Sequence, residues 1–343
     1  MSFRIIVLIW LLLSVFVNCK FNKKETTTFK SNFERIEDRT WLGSEYWASS
    51  AEEWQIHNKR IECLVSNKNR NIHLLTRHLG TNKGTLEMKV RVGFFNKKIL
   101  NSNKNWAGFN IGSKDKYSKF KDNAAYGRGI NIGICTNGSL FIGEHGYNQN
   151  NNQVIKELSK GVDLKVTLTP KGINYIINIS IYSISTGELL GSISKDKVSS
   201  KQLYGGLVLV SNFENPTNSS TQDNTKSVWF KNWNIKGSKV TKYDNKTFGP
   251  ILFSQYTLRR NTLELTAQMT PVKESFKQVH LEIKENKKWK SIASSFINKD
   301  SYTARFKLPN WDNTKDYPYR LVYDFKMSKG KTKTYYWEGI ICK

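Results

Sequence analysis

Residues 129–143 read GINIGICTNGSLFIG, a pattern from which the fold class follows. Isoleucine alternates with small or polar residues from Ile130 to Ile134, and a second apolar run follows at 140–142. The two runs flank Asn137-Gly138, a dipeptide that favours a tight turn between antiparallel strands because both residues tolerate positive φ. The stretch therefore predicts a β-hairpin.

Segments on both sides of this hairpin repeat the strand pattern. Residues 84–93 alternate apolar and polar side chains, which predicts a strand with one buried and one wet face. Further strand-type runs lie at 162–169, 173–184, 189–193, 203–213 and 228–235. Trp229 and Trp233 are an even number of residues apart, so we expect them to share the core side of the last run. Many similar strands over about 200 residues favour a double-sheet jelly roll, assigned to 40–240.

The carboxyl-terminal region carries a second, denser set of strand patterns. Residues 236–248 are charged and lack a strong pattern, so a domain boundary is placed there. About seven short strand candidates follow, separated by turn residues. This density suits an immunoglobulin-like or fibronectin-III-like β-sandwich over residues 249–343. The predicted fold class is therefore all-β.

The amino terminus differs from the rest of the chain. Ile5 to Val17 is nearly all apolar and follows a single charge at Arg4, which is typical of a secretory signal and short for a membrane span of about 20 residues. Cys19 at its end resembles the lipobox of bacterial lipoproteins, so residues 1–19 are assigned as a signal peptide with lipidation of Cys19. An uncleaved anchor is the alternative. Residues 20–39 are polar and are predicted to be a flexible tether.

The expected location is outside the cytoplasm, as an outer-membrane lipoprotein or a periplasmic or extracellular protein. The formal net charge is +26, from 54 basic and 28 acidic residues. Because the lysines are spread along the chain and no basic helix occurs, nucleic acid is not the expected partner. A weak, salt-sensitive attraction to acidic polysaccharide or anionic lipid is left open.

The sequence lacks the usual spacings of catalytic and metal-binding residues. Five histidines form no HExxH, HxH or DxH, and no GxSxG or Walker loop occurs. Glycosidases need paired carboxylates, whereas the strand from Leu86 to Arg91 carries one. Cys63, Cys135 and Cys342 show no CxxC spacing and are expected to be buried free thiols. No metal or cofactor is predicted. Calcium is left as an alternative, with loop carboxylates at Asp115, Asp122 and Asp223.

Aromatic residues supply the candidate ligand contacts. The sequence holds 10 Trp and 15 Tyr, and an aromatic face on a loop can stack on a sugar ring. For any one Trp a place in the core is the commoner outcome. The candidate ligand-binding residues are Trp47, Trp106, Arg128, His145 and Tyr147.

A series of short motifs resembles a known family. The motifs are 41–48, Glu53-Trp54, 60–63, 71–77, 127–131, 140–143, 249–258, 265–269, 310–314, 318–322 and 336–339. Their order resembles the amino-terminal region of secreted PhoD-like alkaline phosphatases. In that family these modules precede a calcineurin-like metallophosphatase domain, which this chain is expected to lack. The first domain also resembles concanavalin-like lectin folds, with 230–237 as the closing strand.

The resemblance implies a non-catalytic region that binds or targets material at the cell surface, and enzymatic activity is not expected of this chain alone. The implied partner is carbohydrate or phosphorylated envelope material, with membrane attachment through the lipid anchor. Two alternatives stay open. One is a glycan-active hydrolase or lyase that uses Arg128, His145 and Tyr147 around a groove. The other is a structural spacer whose partner is a protein.

Overall fold

The computed structural model describes residues 25–31, 33–35, 37–95, 102–114, 128–146, 150–214, 226–272, 278–326 and 331–343. The predicted signal peptide with Cys19 lies outside these ranges, as do Tyr147 and the carboxylates Asp115, Asp122 and Asp223. Within the described ranges, no helix is both long and apolar enough to cross a membrane.

The described residues are mostly β-strand. In chain order the strands are β1 (Thr27–Lys30), β2 (Tyr46–Ala48), β3 (Trp54–His57), β4 (Arg60–Cys63), β5 (Arg70–Leu79), β6 (Leu86–Phe94), β7 (Trp106–Lys114), β8 (Arg128–Cys135), β9 (Leu140–Ile142), β10 (Val162–Lys171), β11 (Asn174–Ser183), β12 (Leu189–Ser199), β13 (Gly205–Asn212), β14 (Val228–Gly237), β15 (Val240–Lys242), β16 (Ile251–Arg259), β17 (Thr262–Met269), β18 (Gln278–Glu285), β19 (Lys288–Phe296), β20 (Thr303–Pro309), β21 (Tyr317–Lys326) and β22 (Thr332–Ile341). One α-helix, α1 (Asn152–Leu158), occurs in this part of the chain, with 3-10 turns at Phe33–Arg35, Ala51–Glu53 and Ser200–Gln202.

Two facing sheets form the larger sandwich. The eight-stranded sheet has the order β12-β11-β10-β6-β14-β4-β3, and β1 also pairs with β14. The seven-stranded sheet has the order β15-β5-β13-β7-β8-β9, and β2 also pairs with β5. Alternate residues point into the shared core, so that Met88 and Val90 of β6 are buried while Glu87 is exposed.

Two smaller sheets form the second sandwich. The three-stranded sheet β16-β17-β20 packs on the four-stranded sheet β19-β18-β21-β22, and Leu263 and Leu265 meet Leu281 and Tyr323 in their core. Seven strands in this arrangement are typical of an immunoglobulin-like sandwich. The predicted all-β fold, a jelly-roll sandwich followed by a smaller immunoglobulin-like one, is confirmed. The residue ranges assigned to the two domains stay predictions.

The segment before the first sandwich is not a free tether where the structure describes it. β1 pairs antiparallel with β14, with Phe29 opposite Ile235. Phe29 and Phe33 are buried in the larger core, and the Phe33 ring centroid lies 5.3 Å from that of Tyr46. The flexible tether predicted over 20–39 is therefore wrong for Thr27–Lys30 and Phe33–Arg35, since two buried phenylalanines stabilise the docked segment by roughly 2 kcal/mol each.

The hairpin predicted from 129–143 is present as β8 and β9. The Cys135 N–H donates to the Ser139 carbonyl at 2.9 Å, and the Gly138 N–H donates to the Cys135 carbonyl at 2.9 Å. Gly138 has a φ of 80°. The Asn137 side chain accepts the Ser139 N–H at 3.0 Å, so Asn137 contributes to the turn through its side chain.

Trp229 and Trp233 lie on opposite sides of β14, contrary to the expectation from their spacing. The pairing of β14 with β6 shifts between Lys231 and Asn234, and Asn232 has a φ of 55°. This bulge reverses the alternation of side chains. Trp233 therefore enters the core, whereas Trp229 lies against Gly93 on the outer face.

Candidate functional site

A row of five residues crosses the outer face of the seven-stranded sheet. Strand pairing gives the order Trp47, His73, Val208, Asn110 and Asn131. Paired residues on neighbouring strands point to the same face, so these five side chains share the side away from the core. With strands about 4.8 Å apart, the row is about 19 Å long.

A groove of about 340 Å³ lies on this face. Its lining includes Asn71, Asn110 and Asn131, together with His73 and Trp106. Arg128 carries the only full charge among the described lining residues, and no Asp or Glu is among them. The groove therefore offers amides, an imidazole, an aromatic edge and one cation.

Trp106 forms a wall of this groove and is 7% exposed. Its ring packs edge-on against Phe141, with centroids 5.0 Å apart and planes at 84°. The indole lies over Gly133 of β8, where a Cβ would come within 3.0 Å of the ring. A Cβ at this position would meet the Ala107 carbonyl first, at 2.5 Å, so glycine is required both by the neighbouring strand and by the indole.

Two polar atoms of the groove lining are buried and have no hydrogen-bond partner within the described part of the chain. They are Nε2 of His73 and Oδ1 of Asn110. The Nδ2 group of Asn110 donates to Oδ1 of Asn131 at 2.7 Å. A buried polar atom left without a partner costs about 1–3 kcal/mol. Both atoms are shielded from solvent, so a ligand can recover that free energy only if a small shift of side chains opens them to the groove.

The protonation of His73 follows from its surroundings. Burial, and then the charge of nearby His78, lower the pKa of His73 to about 4. The imidazole is therefore neutral near pH 7, with one donor and one acceptor nitrogen. A neutral ring suits a ligand that both donates and accepts hydrogen bonds, such as one with hydroxyl groups.

Three of the predicted ligand residues lie on this face. Trp106 and Arg128 line the groove, and the Trp47 ring packs edge-on against His73 with centroids 5.8 Å apart. His145 is exposed in the turn after β9, where its N–H donates to the Ile142 carbonyl at 3.1 Å, and it is not part of the groove lining. Tyr147 lies outside the described residues.

The polar centre of the groove was not predicted. His73, Asn110 and Asn131 come from three strands that are distant in sequence. The available signal was that each interrupts an otherwise apolar strand at an outward position, as His73 does between Ile72 and Leu74. Without the strand pairing, that pattern does not show that the three residues meet.

Strand β6, which carries one carboxylate instead of the pair that a glycosidase needs, belongs to the eight-stranded sheet and not to the sheet with the groove. Lys89 and Arg91 of β6 lie on the outer face of the eight-stranded sheet, where both pair with Asp163 at 2.9 Å. The sequence argument against a glycosidase therefore did not concern the groove.

Among the residues that the structure describes, no group of three or more His, Cys, Asp or Glu side chains could hold a metal ion. The thiols of Cys63 and Cys135 are free and buried, and that of Cys342 is free and exposed.

Comparisons with known proteins return structural likeness alone. No protein-family model matches the sequence, and no curated protein matches it. Lectin II from Ulex europaeus has 10% identity and a TM-score of 0.39, over 62% of this chain and 98% of that chain. Peanut lectin has 11% identity and a TM-score of 0.37, over 64% and 100%. Lectin I-B4 from Griffonia simplicifolia has 7% identity and a TM-score of 0.40, over 62% and 99%. The strand order, and not this likeness, defines the fold.

Proposed function

We propose that this protein binds carbohydrate, without catalysis, in the groove on the outer face of the seven-stranded sheet. The observation that carries the proposal is the pair of unpartnered atoms, His73 Nε2 and Asn110 Oδ1, among asparagine amides and an aromatic wall. Sugar hydroxyls both donate and accept hydrogen bonds, so neighbouring rings of a saccharide can pair with an amide oxygen and with a neutral imidazole two strands away. The apolar face of one such ring can pack on the edge of Trp106.

The charge of the groove narrows the class of carbohydrate. Arg128 has no carboxylate beside it in the described lining, and the chain carries a net charge of +26. A guanidinium forms two parallel hydrogen bonds with a carboxylate or phosphate group. Glycans with acidic or phosphorylated substituents are therefore the favoured ligands, and their affinity should fall as salt is added.

We place this activity outside the cytoplasm. The basis is the apolar segment that ends at Cys19, with lipid attached to that cysteine as the proposed anchor. Kinship with the amino-terminal region of PhoD-like phosphatases stays a prediction. A surface protein of that kind would hold itself, or a phosphatase, on envelope glycans.

The test is retention of the purified protein in affinity gels that contain laminarin, xylan, pectin or teichoic acid. The double variant Asn110→Ala, Asn131→Ala should lose about tenfold or more in affinity, because it removes the central amides. Asn178→Ala is the matched control, since that amide bonds Ser194 on the opposite sheet at 2.9 Å. Equal retention of all three proteins would contradict the proposal. Release of reducing sugar from a retained polymer would favour the glycan-active enzyme instead.

A further inference from the structure

A second aromatic surface lies beside the groove, between the two sandwiches. It is a cleft of about 690 Å³, lined by residues of both sandwiches and by the segment that joins them. Its aromatic lining consists of Trp47, Phe248, Phe253, Tyr335, Tyr336 and Trp337. Surfaces of this composition are unusual on a protein unless something binds there.

Several contacts between the sandwiches hold this cleft in shape. Trp41 packs in the core of the second sandwich, and its indole N–H donates to the Phe248 carbonyl at 3.2 Å. The hydroxyl groups of Ser44 and Tyr335 lie 3.3 Å apart. The Arg39 guanidinium lies over the Phe325 ring of the second sandwich, 4.5 Å from its centroid. The cleft is therefore preformed, so a ligand does not have to order it on binding.

The cleft continues the groove. Trp47 lines the cleft, and its ring contacts the ring of His73, which lines the groove. The row therefore runs from Asn131 to Trp47, and Trp47 also lines the cleft. The two sites share no lining residue but are adjacent through this ring contact, which is the basis for treating them as parts of one surface.

The far side of the cleft presents aromatic rings to solvent. Phe253 is 47% exposed and Tyr336 is 53% exposed. The Arg320 guanidinium lies 4.7 Å from the Tyr336 ring centroid and limits the motion of that ring. Exposed, oriented rings are what successive sugars of a polysaccharide need for stacking, and they tolerate different sugars because each pyranose has an apolar face.

We infer that groove and cleft bind one extended polysaccharide chain, so that the second sandwich supplies aromatic subsites for it. The inference rests on the proposed function of the groove and assigns the cleft to the same ligand. A short oligosaccharide fills the row from Asn131 to His73. Longer chains also reach Phe253 and Tyr336, and their affinity is correspondingly higher.

The experiment uses the full chain and the polymer among laminarin, xylan, pectin and teichoic acid that the gels retain. Its own oligosaccharides, from two units to roughly eight, are titrated by calorimetry. Affinity should keep rising after the short oligomers have reached the groove. Phe253→Ala and Tyr336→Ala should weaken the longest oligomers about tenfold and leave the shortest unchanged. The controls are Phe296→Ala and Ile340→Ala, because both side chains are large, apolar and exposed outside the cleft.

The outcomes separate the two ideas. If affinity stops rising at short oligomers and the cleft variants bind like the unmodified protein, the inference is overturned while the groove stands. If no polymer is retained, or if the groove variants bind normally, the proposed function fails and the inference fails with it. Equal losses in the cleft variants and in the two controls would also overturn the inference.

Discussion

The larger sandwich has two outer faces, and their polar groups are arranged in opposite ways. On the eight-stranded sheet, Lys89 and Arg91 both reach Asp163 at 2.9 Å, and Lys165 reaches Glu87 at 2.9 Å. On the seven-stranded sheet, His73 and Asn110 have buried atoms without a partner in the described chain. On the first face these charged groups pair with one another, whereas on the second these two atoms have no partner among the described residues. The two faces therefore differ in how far their polar groups are satisfied within the protein, and not only in charge.

The electrostatics of Asp163 support this distinction. Burial opposes its ionisation, but hydrogen bonds from Arg91 and Lys89 outweigh that effect and lower its pKa below the usual range. The carboxylate is thus committed to its own neighbours. The ion pairs of this carboxylate with Arg91 and Lys89 therefore stabilise the folded protein itself.

The largest effect is expected from removing one tryptophan on each face. Trp106→Ala and Trp229→Ala should each lower the free energy of unfolding by about 3–5 kcal/mol, because both rings are largely buried. Urea unfolding measures this. Glycan retention should be lost in Trp106→Ala alone. Equal binding by the two variants would remove the distinction between the faces.

An intermediate loss of folding stability is expected when the pH is lowered. Burial is the main cause that lowers the pKa of both His73 and His78 to about 4. Between pH 6.5 and pH 4 the unfolded chain therefore takes up protons that the folded chain does not, and stability falls with pH. The loss should be about 2–3 kcal/mol for each histidine.

Urea midpoints across this pH window provide the measurement. In the variant His73→Gln, His78→Gln the dependence should become much shallower. The part that remains near pH 4 comes from carboxylates such as Glu62, where burial opposes ionisation but hydrogen bonds from a lysine and an arginine lower the pKa. The opposite face should respond in a different window, because the stabilisation by Asp163 is present above its usual pKa and is lost only as pH falls through the lowered value. An unchanged slope in the histidine variant would show that other groups cause the loss.

The smallest loss of stability is expected when one short polar side chain on each face is replaced by alanine. Asp163→Ala leaves Lys89 and Arg91 without their partner and should cost about 1–3 kcal/mol. Asn110→Ala removes an oxygen that already lacks a partner and one exposed hydrogen bond to Asn131, and should cost about 0.5–1 kcal/mol. Thermal unfolding of both variants measures the difference. A larger loss in Asn110→Ala would mean that Oδ1 of Asn110 is also satisfied within the protein.

Sequence patterns predicted the strands well because alternation is local. Residues 84–93 and 129–143 each contain their own period and turn chemistry, and both formed as expected. The docking of Phe29 and the bulge at Asn232 were missed, because each depends on a partner strand far away in sequence. Arg128 and Trp106 were identified individually, but their place in one groove depends on the pairing of β7 with β8 and β13.

Trp41 has a consequence for how this protein can be divided. It precedes every strand of the second sandwich along the chain, yet its indole packs in that sandwich's core. A fragment cut at the sequence boundary, near 249, would contain a hole with the volume of an indole and would expose the apolar rings around it. Genetic dissection of this protein should therefore keep the two sandwiches together, since a side chain that lies between β1 and β2 of the first sandwich completes the core of the second.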